Sequence, residues 1–393
     1  AGVNDADLLI ATTGADELNL LCSMTAHGIN PNIHTIARIC NPDYTDQVYK
    51  MQKTFALSLT VNPEKQAAIE IERLLKFPGF LKRDSFAKGR VEIVELRVDE
   101  RSRLCNVALS ELNRVIKCRV LVCAVLRRGD VVAPDGSFVL REGDRIFVTA
   151  STESLATLLD NLGIITKKVN HVMICGGGRV SYYLAQQLEK DGMTVRLIEK
   201  DPKHCEELAA LLPKTEIIND DASNTFVLKR ENLESCDALV TATGMDELNM
   251  IISLYGTKHG VSQVITKLGH MENGSMIDQL PIGSTIWPKD LCCNGIVRYI
   301  RAMHNQTGAA VSVHSIADGK AEAIEFHVEE KKPYCDKPLK NMKVKQNILV
   351  ACITHGGVTE LPGGDSVIRE GDTVVVVTTR NDIIYKLDDI FEA

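Results

Sequence analysis

The sequence of 393 residues lacks the features that mark nucleic-acid-binding and membrane-spanning proteins. Its 45 basic and 52 acidic side chains give a net charge of −7, and no basic stripe or arginine-rich run appears, so no nucleic-acid partner is expected. No apolar run reaches the roughly 18 residues of a membrane-spanning helix, and no signal peptide is visible. With 45% hydrophobic residues, the chain can still bury the cores of about two to four domains.

Catalytic and metal-binding motifs are missing as well. None of the twelve cysteines forms a C-x-x-C pair, and most lie in apolar runs, as Cys118 and Cys123 do. We interpret them as buried, reduced thiols of a cytosolic protein, with redox sensing at the adjacent Cys292 and Cys293 as the alternative. No H-E-x-x-H, G-x-S-x-G or metal-ligand spacing occurs, and the ten histidines are scattered, so neither a catalytic residue nor a metal site is predicted.

The chain repeats a long part of itself. Residues 7–19 return as residues 237–249, and residues 91–98 return as residues 321–328, both at an offset of 230. A repeat of this length indicates a duplicated pair of domains rather than a solenoid unit. The second copy has a glycine-rich turn at Gly176, whose counterpart in the first copy would precede residue 1. We therefore expect a fragment that begins inside its first domain.

The second copy predicts a doubly wound α/β domain followed by a small α+β unit. Strands and helices alternate, which is typical of a parallel sheet covered by helices. The predicted strands of the α/β domain are residues 170–175, 194–199, 216–219, 238–242 and 264–268, with helices at 180–191 and 202–212. The small unit is predicted to have strands at 321–328, 348–353 and 373–378 and a short helix at 339–344.

The first copy starts late in its sheet, because residues 7–11 mirror the fourth strand of the second copy and residues 33–39 mirror the fifth. A long helix, with Pro63 in its first turn, reaches Lys76 and leads towards the first small unit. Pro78–Gly79 is a candidate hinge, and residues 161–168 form a short link between the copies. The predicted domains are two Rossmann-like lobes with their crossover helices, the first incomplete, and two small lobes, at residues 1–77, 78–165, 166–300 and 301–393.

The glycine-rich turn carries the signal for nucleotide binding. Gly176 permits a tight turn, and Gly178 lets the backbone approach a pyrophosphate that meets the amides and the positive end of the next helix. Glu199 ends the following strand, where a carboxylate accepts hydrogen bonds from adenosine ribose hydroxyls. Ser181 stands where glycine or alanine is usual, and it is small enough for close helix packing. We predict a nucleotide site, with a relic turn that binds nothing as the alternative.

Other strand ends supply further candidates. Glu199 disfavours NADP, because a 2′-phosphate would meet like charge, but it does not separate NAD(H) from ATP or ADP. Asp221 is placed to reach the adenine edge, with helix capping as the alternative. Ala242 and Thr243 end the fourth strand at the carboxyl edge of the sheet, where ligands lie. Lys267 ends the fifth strand and would meet phosphate, unless it is simply solvated.

In the first copy, Thr12, Thr13 and Arg38 are the equivalent residues, and without a glycine turn they form half a site. A dehydrogenase needs a hydride acceptor site and a proton donor, usually from a substantial substrate domain, and the small units offer few candidate groups. Two Rossmann-like lobes without a catalytic domain therefore favour a sensor. An NAD-dependent oxidoreductase and a purely structural scaffold are the competing classes.

This order of motifs resembles the RCK (regulator of K⁺ conductance) family, and its tandem form is similar to the cytosolic regulatory subunits of Trk potassium uptake systems. The resemblance covers essentially the whole chain. It rests on the glycine turn, Glu199, residues 237–244, the Arg-Glu-Gly-Asp segments at 141–144 and 369–372, and residues 61–64, 77–80 and 89–92.

The resemblance implies tandem Rossmann-like lobes, each followed by a small α+β C-lobe, in a regulatory protein that is not an enzyme. It implies NAD(H) as ligand, with ATP or ADP as further ligands. It also implies a homo-oligomeric ring, a tetramer of tandem chains, in the cytoplasm at the inner face of the plasma membrane, where the ring gates a Trk-type potassium channel.

The nucleotide positions of the family carry over residue by residue. They fall on Gly176, Gly177, Gly178, Arg179, Val180, Glu199, Ala242, Thr243 and Lys267, and in the first copy on Thr13 and Arg38. The sequence departs from the family pattern at Ser181 and at Asp220, where the family often has glycine.

Overall fold

The structure is a computed structural model that describes residues 2–76, 80–98, 102–162, 168–269, 277, 280–303, 310–317, 319–379 and 383–392. The chain divides into two compact units. One consists of Ala1–Glu72, Asn170–Glu272 and Pro281–Tyr299, and the other of Arg73–Val169, Asn273–Leu280 and Ile300–Ala393. The candidate hinge at Pro78–Gly79 and most of the link at residues 161–168 lie outside the described residues.

The described part of the first copy forms eight strands and five α-helices. The strands are β1 (Leu8–Ala11), β2 (His34–Arg38), β3 (Leu59–Val61), β4 (Lys82–Phe86), β5 (Val91–Arg97), β6 (Leu121–Arg127), β7 (Asp130–Val132) and β8 (Arg145–Ala150). The helices are α1 (Asp16–Ile29), α2 (Pro42–Lys50), α3 (Pro63–Lys76), α4 (Leu112–Ile116) and α5 (Thr152–Leu162). The predicted crossover helix is α3, which starts at Pro63 as expected.

The described part of the second copy forms eleven strands and five α-helices. The strands are β9 (His171–Cys175), β10 (Thr194–Glu199), β11 (Glu216–Asn219), β12 (Ala238–Thr241), β13 (Gln263–Lys267), β14 (Ser284–Ile286), β15 (Ala310–Ile316), β16 (Ala321–His327), β17 (Ile348–His355), β18 (Val358–Glu360) and β19 (Thr373–Thr378). The helices are α6 (Arg179–Lys190), α7 (Pro202–Leu211), α8 (Thr225–Arg230), α9 (Asp246–Lys258) and α10 (Pro288–Met303).

The first unit contains two parallel sheets. The first copy contributes a three-stranded sheet in the order β1-β2-β3, and the second copy a six-stranded sheet in the order β11-β10-β9-β12-β13-β14. In the larger sheet the chain runs outward from β9 to β11 and then returns to β12, so the direction of winding reverses beside β9. Ligands of doubly wound sheets bind at this switch point. The sheet confirms the predicted fold class and adds the short strand β14 at its edge.

The second unit contains two five-stranded antiparallel sheets with the same strand order. They run β4-β5-β8-β6-β7 in the first copy and β15-β16-β19-β17-β18 in the second. Each is the sheet of one predicted small lobe, and we call them the first and second C-lobe sheets. The predicted helix at residues 339–344 is wrong, because only a 3₁₀ turn at Leu339–Asn341 forms. Val344 pairs instead with Phe391 in an antiparallel bridge, so tertiary pairing overrides the local pattern.

Across the ranges that the structure describes, no helix combines the length and the apolar character that crossing a bilayer requires.

Candidate nucleotide-binding site

The candidate site lies where three neighbouring strands of the six-stranded sheet end. Cys175, the last residue of β9, is opposite Ile198 in β10 and Thr241 in β12. The loops that follow these strands therefore emerge side by side. This register brings the glycine turn, Glu199 and the Ala242–Thr243 segment together at the switch point of the sheet.

Two of the three glycines are enclosed by neighbouring backbone and side chains. Gly176 has a φ of +97°, and a Cβ atom there would lie 2.9 Å from both the Cα and the amide nitrogen of Thr243. A Cβ atom on Gly177 would lie 2.7 Å from the Cδ1 atom of Leu208 and 3.0 Å from the Glu199 carboxylate. Glycine at both positions thus allows the turn to pack closely against the loop after β12, the end of β10 and α7.

Gly178 has a different environment, because no described atom lies within 4 Å of the position that its Cβ would take. It is the N-cap residue of α6, with extended backbone at φ −64° and ψ 178°, and no side chain caps the helix among the described residues. Gly178 and Arg179 are exposed, whereas Val180 and Ser181 are buried. The first turn of α6 therefore presents backbone N–H groups and the positive end of the helix dipole to an open space.

Glu199 connects the glycine turn to the next helix. Its Oε2 atom accepts a hydrogen bond of 2.7 Å from the Gly177 amide, and its Oε1 atom accepts one of 2.9 Å from the Asp201 amide. An ionised carboxylate has about four lone-pair positions, so two acceptor positions remain for other donors. Glu199 is half-buried, so part of its side chain remains accessible.

His204 is a site residue that the sequence interpretation missed, because a scattered histidine carries no pattern of its own. Its Nε2 atom lies 2.9 Å from the Gly177 carbonyl oxygen, and its Nδ1 atom lies 3.1 Å from the Glu207 carboxylate. Asp201 caps α7 by accepting a hydrogen bond from the Lys203 amide, which fixes the first turn of this helix. The signal available in the sequence is the position of His204 in the first turn of α7. This helix follows Glu199 directly and is capped by Asp201.

The protonation of His204 gives a testable pH dependence. The hydrogen bond to Glu207 raises the pKa of His204 above its ordinary value of 6.5, and burial opposes this only in part, while the Gly177 carbonyl and Glu199 also raise it. A histidine pKa that is raised on folding means that the protonated imidazole stabilises the folded protein. This stabilisation is complete when the pH is below the ordinary pKa, and it is lost as the pH rises through the raised pKa. We expect His204→Gln to flatten the fall in melting temperature between about pH 5.5 and pH 8.5.

The control for this measurement is His171→Gln, since His171 is exposed at the start of β9. It should leave the pH profile of the melting temperature unchanged. An unaltered profile in His204→Gln would show that the imidazole stays neutral in the folded protein.

Lys267 holds the neighbouring loop together. Its Nζ atom donates a hydrogen bond of 2.8 Å to the Thr243 carbonyl oxygen, and burial lowers its pKa. Asn249 completes the arrangement, because its Oδ1 atom accepts hydrogen bonds from the Thr243 amide at 2.9 Å and hydroxyl at 2.7 Å. Its Nδ2 atom donates to the Lys267 carbonyl oxygen at 2.9 Å. Sequence interpretation missed Asn249, although it closes the repeated segment at residues 237–249.

The first copy has the same loop arrangement. The Arg38 guanidinium donates a hydrogen bond of 3.0 Å to the Thr13 carbonyl oxygen, and Asn19 accepts hydrogen bonds of 2.7 Å from both the amide and the hydroxyl of Thr13. Asn19 also donates to the Arg38 carbonyl oxygen at 2.9 Å, whereas Thr12 is exposed. Because both copies keep this network, we interpret Arg38 and Lys267 as residues that fix a loop, which places Thr13 and Thr243.

Comparison with known proteins identifies the family. The TrkA-N domain family matches residues 1–59 and 172–288, and the TrkA-C domain family matches residues 93–163 and 323–391. Each domain therefore occurs twice, in alternating order. The chain belongs to the TrkA-type RCK family. The order of the two domains confirms the resemblance that the repeated motifs suggested.

Two relatives show how far the TrkA-type likeness extends. The Trk system potassium uptake protein TrkA homolog 1 of Methanosarcina mazei is 29% identical over 381 residues, which cover 95% of this chain and 84% of that protein. The Trk system potassium uptake protein TrkA of Haemophilus influenzae is 27% identical, and the match covers 100% of this chain and 86% of that protein. Both relatives are named as potassium uptake proteins.

Solved structures share the fold of this TrkA-type chain. The crystal structure of the GsuK RCK domain superposes with a TM-score of 0.59 at 14% identity, covering 95% of this chain and 78% of that one. The GsuK channel bound to NAD gives a TM-score of 0.57 at 15% identity, covering 96% of this chain and 65% of that one. At this identity the likeness establishes the fold.

Asp221 lies beyond β11 and does not cap a helix. Its carboxylate accepts a hydrogen bond of 2.8 Å from the Ser223 amide, which lowers its pKa, while Asn224 caps α8. The departure from the family pattern at Asp220 has a local partner, because Asp220 forms an ion pair of 2.9 Å with Arg230. This pairing offsets part of the extra negative charge beside Asp221.

The adjacent cysteines of this TrkA-type chain differ in environment. Cys292 is buried, and desolvation raises the pKa of its thiol to about 12, with the Glu64 charge acting in the same direction. Cys293 is exposed. Because the thiolate is the reactive form, Cys292 is a poor redox centre at neutral pH. Among the residues whose placement is described, no group of three or more His, Cys, Asp or Glu side chains is arranged to hold a metal ion.

Proposed function

We propose that this TrkA-type chain is a nucleotide-sensing regulatory subunit that controls potassium uptake through a membrane Trk-type channel. The observation that carries the proposal is the open N-terminus of α6 at Gly178, next to the glycine turn whose Gly177 amide is hydrogen-bonded to Glu199. A diphosphate fits this arrangement, because backbone amides and the helix dipole favour an anion there. The names of the relatives supply the potassium uptake system.

The proposed ligand is NAD(H), with ATP or ADP as further ligands that share its adenosine diphosphate part. The first turn of α6, from Gly178 to Val180, would hold the diphosphate. Glu199 would accept hydrogen bonds from the ribose hydroxyls with its free lone pairs. Ala242 and Thr243 would line the side of the crevice formed by the β12 loop, and Asp221 would lie towards the adenine. A structural neighbour, the GsuK channel, is known in an NAD-bound form, which supports the choice of dinucleotide.

The proposal includes the assembly and the place of action. Four domains at residues 1–77, 78–165, 166–300 and 301–393 would form a tandem chain, and four such chains would form a ring at the inner face of the plasma membrane. A ligand can bias such a ring only through different affinities for its two states. A phosphate group at Gly178 would change the position of α6, and the ring state that fits the ligand-bound lobe would then dominate.

Calorimetric titration of the protein with NADH, ATP, ADP and NADPH tests the proposed site. We expect saturable binding of NADH, and binding of NADPH that is at least about 10-fold weaker because Glu199 repels a 2′-phosphate. Absence of heat with all four nucleotides would favour the structural scaffold. Steady turnover of NADH with candidate keto acids would favour the competing oxidoreductase.

Glu199→Gln makes the specificity test sharper. Glutamine keeps an oxygen that can accept the Gly177 hydrogen bond, but it loses the hydrogen bond from the Asp201 amide and removes the charge. Without the charge, discrimination against NADPH should fall by about 10-fold. The matched control is Glu207→Gln, which removes a charge on the next helix that contacts His204 rather than Gly177. Equal changes in the two variants would mean that the general charge of the surface, and not Glu199, sets the preference.

A further inference from the structure

The two C-lobe sheets in the second unit share one buried core. Positions that are equivalent in the repeat contribute to it from both sides, for example Phe86 and Ile316 at the ends of β4 and β15. The strands β6 and β17, which are also equivalent, contact each other. The two sheets are therefore related by an approximate two-fold axis, as the two halves of a homodimer would be.

Side chains at the edge of this interface follow the approximate symmetry. The Lys320 ammonium donates a hydrogen bond to the Gly129 carbonyl oxygen in the β6–β7 turn. The equivalent residue in the first lobe, Arg90, lies against Gly357 in the β17–β18 turn, 3.2 Å from the position of its Cβ. Because each lobe offers a cation to the same turn of the other, these contacts would form equally well between two identical lobes.

The core of the interface is asymmetric in the size of its side chains. At four equivalent pairs of positions the first lobe has the larger residue. These pairs are Phe86 with Ile316, Val91 with Ala321, Ile93 with Ala323, and Phe147 with Val375. All eight side chains are at most 2% exposed. Two identical first lobes would therefore crowd this core, and two identical second lobes would leave it underfilled.

A polar contact between equivalent positions is asymmetric as well. Asp84 of β4 and His314 of β15 occupy the same position in the repeat, and the Asp84 carboxylate lies 3.0 Å from the Nδ1 atom of His314. The imidazole also packs against Phe86, with ring centroids 4.6 Å apart. Two first lobes would place Asp84 against a second Asp84, where like charges repel. Two second lobes would place imidazole against imidazole.

We propose that this interface selects unlike pairing, in which a first C-lobe binds a second C-lobe and identical C-lobes reject each other. The occupant of each face is the other C-lobe of the same chain. Side-chain volume and the Asp84–His314 contact both favour the pairing of unlike C-lobes. The Arg90 and Lys320 contacts do not discriminate between unlike and identical C-lobes. Each tandem chain then supplies a complete C-lobe pair without requiring a second chain.

Exchange of core residues between the lobes tests the steric part. Ala321→Val with Ala323→Ile gives the second lobe the larger side chains of the first at two of the four positions, and Val91→Ala with Ile93→Ala gives the first lobe the smaller ones. Each double variant of the full chain should melt at least about 5 °C lower, because one overpacks the core and the other leaves a cavity. The variant that combines all four substitutions should recover at least half of the melting temperature that the two double variants lose together. Losses that simply add would overturn the proposal.

Exchange of the polar pair tests the proposal without altering the apolar core. Asp84→His and His314→Asp should each lower the melting temperature, and the double exchange should restore it, since the two effects are coupled across the interface. The control exchanges Arg127 and His355, which are also equivalent but bind Asp144 and Asp372 within their own lobes. Effects in this control pair should add. Additive effects at Asp84 and His314 as well would show that the contact does not select the partner.

Discussion

Replacement of Gly178 by aspartate is expected to abolish nucleotide binding while leaving the second Rossmann-like lobe folded. A carboxylate at the N-cap position would accept hydrogen bonds from the first-turn amides of α6 and would repel a phosphate group. The first-turn amides would then no longer donate charge-assisted hydrogen bonds to the phosphate, and this loss should weaken NADH binding by at least about 100-fold. The free energy of unfolding should rise by a few tenths of a kcal/mol, because aspartate caps a helix better than glycine does.

The matched control is Gly178→Ala. The Cβ would meet no described atom within 4 Å, and a φ of −64° suits any residue, so the protein should fold normally. Calorimetry with NADH and thermal unfolding of both variants separate binding from stability. If Gly178→Asp bound NADH as tightly as Gly178→Ala, the first turn of α6 would not hold the phosphate, and the proposed site would be wrong. Potassium flux through the proposed Trk-type partner channel is expected to lose its proposed nucleotide response in Gly178→Asp and to keep it in Gly178→Ala.

The sequence predicted the parallel part of the fold because hydrophobic periodicity and punctuating residues agree there. The strands β9 to β13 each contain a short apolar segment, and Pro202 marks the start of α7. The strands β14 and β18 were missed because each has only three residues, too few to show a period. The outer strands β4 and β15 were missed as well. Lys82–Phe86 is largely polar at the edge of its sheet, and no apolar run marks it.

The glycine turn and Glu199 were predictable parts of the candidate site. Binding of an adenosine diphosphate group calls for a glycine turn after one strand and a carboxylate at the end of the next, and the sequence shows both. Residues that act through tertiary contacts were not predictable in the same way. His204 reaches Gly177 because α7 starts beside the end of β9, and Asn249 reaches Lys267 because β12 and β13 are neighbours. Lys267 was expected to meet phosphate. Its Nζ atom donates to the Thr243 carbonyl oxygen, a contact that only the adjacent loop geometry reveals, and the phosphate contact stays a prediction.

Gly176→Ala is expected to have the largest effect on stability of any single change in the site. Alanine at a φ of +97° is strained, and its Cβ would press on the backbone of Thr243 at 2.9 Å and on the Ala242 carbonyl oxygen at 3.0 Å. Backbone atoms cannot move aside as a flexible side chain would. Strain and overpacking should together lower the free energy of unfolding by about 2–5 kcal/mol, measured by urea denaturation.

Gly192→Ala separates the two causes, because Gly192 has a φ of +77° and its Cβ would meet no described atom within 4 Å. It should cost only the conformational strain, about 1–2 kcal/mol. The excess in Gly176→Ala then measures the close contact between the glycine turn and the β12 loop. Equal losses in the two variants would show that the loops separate at little cost. The packing of the β12 loop on the glycine turn would then be too weak for Thr243 to hold a ligand against that turn.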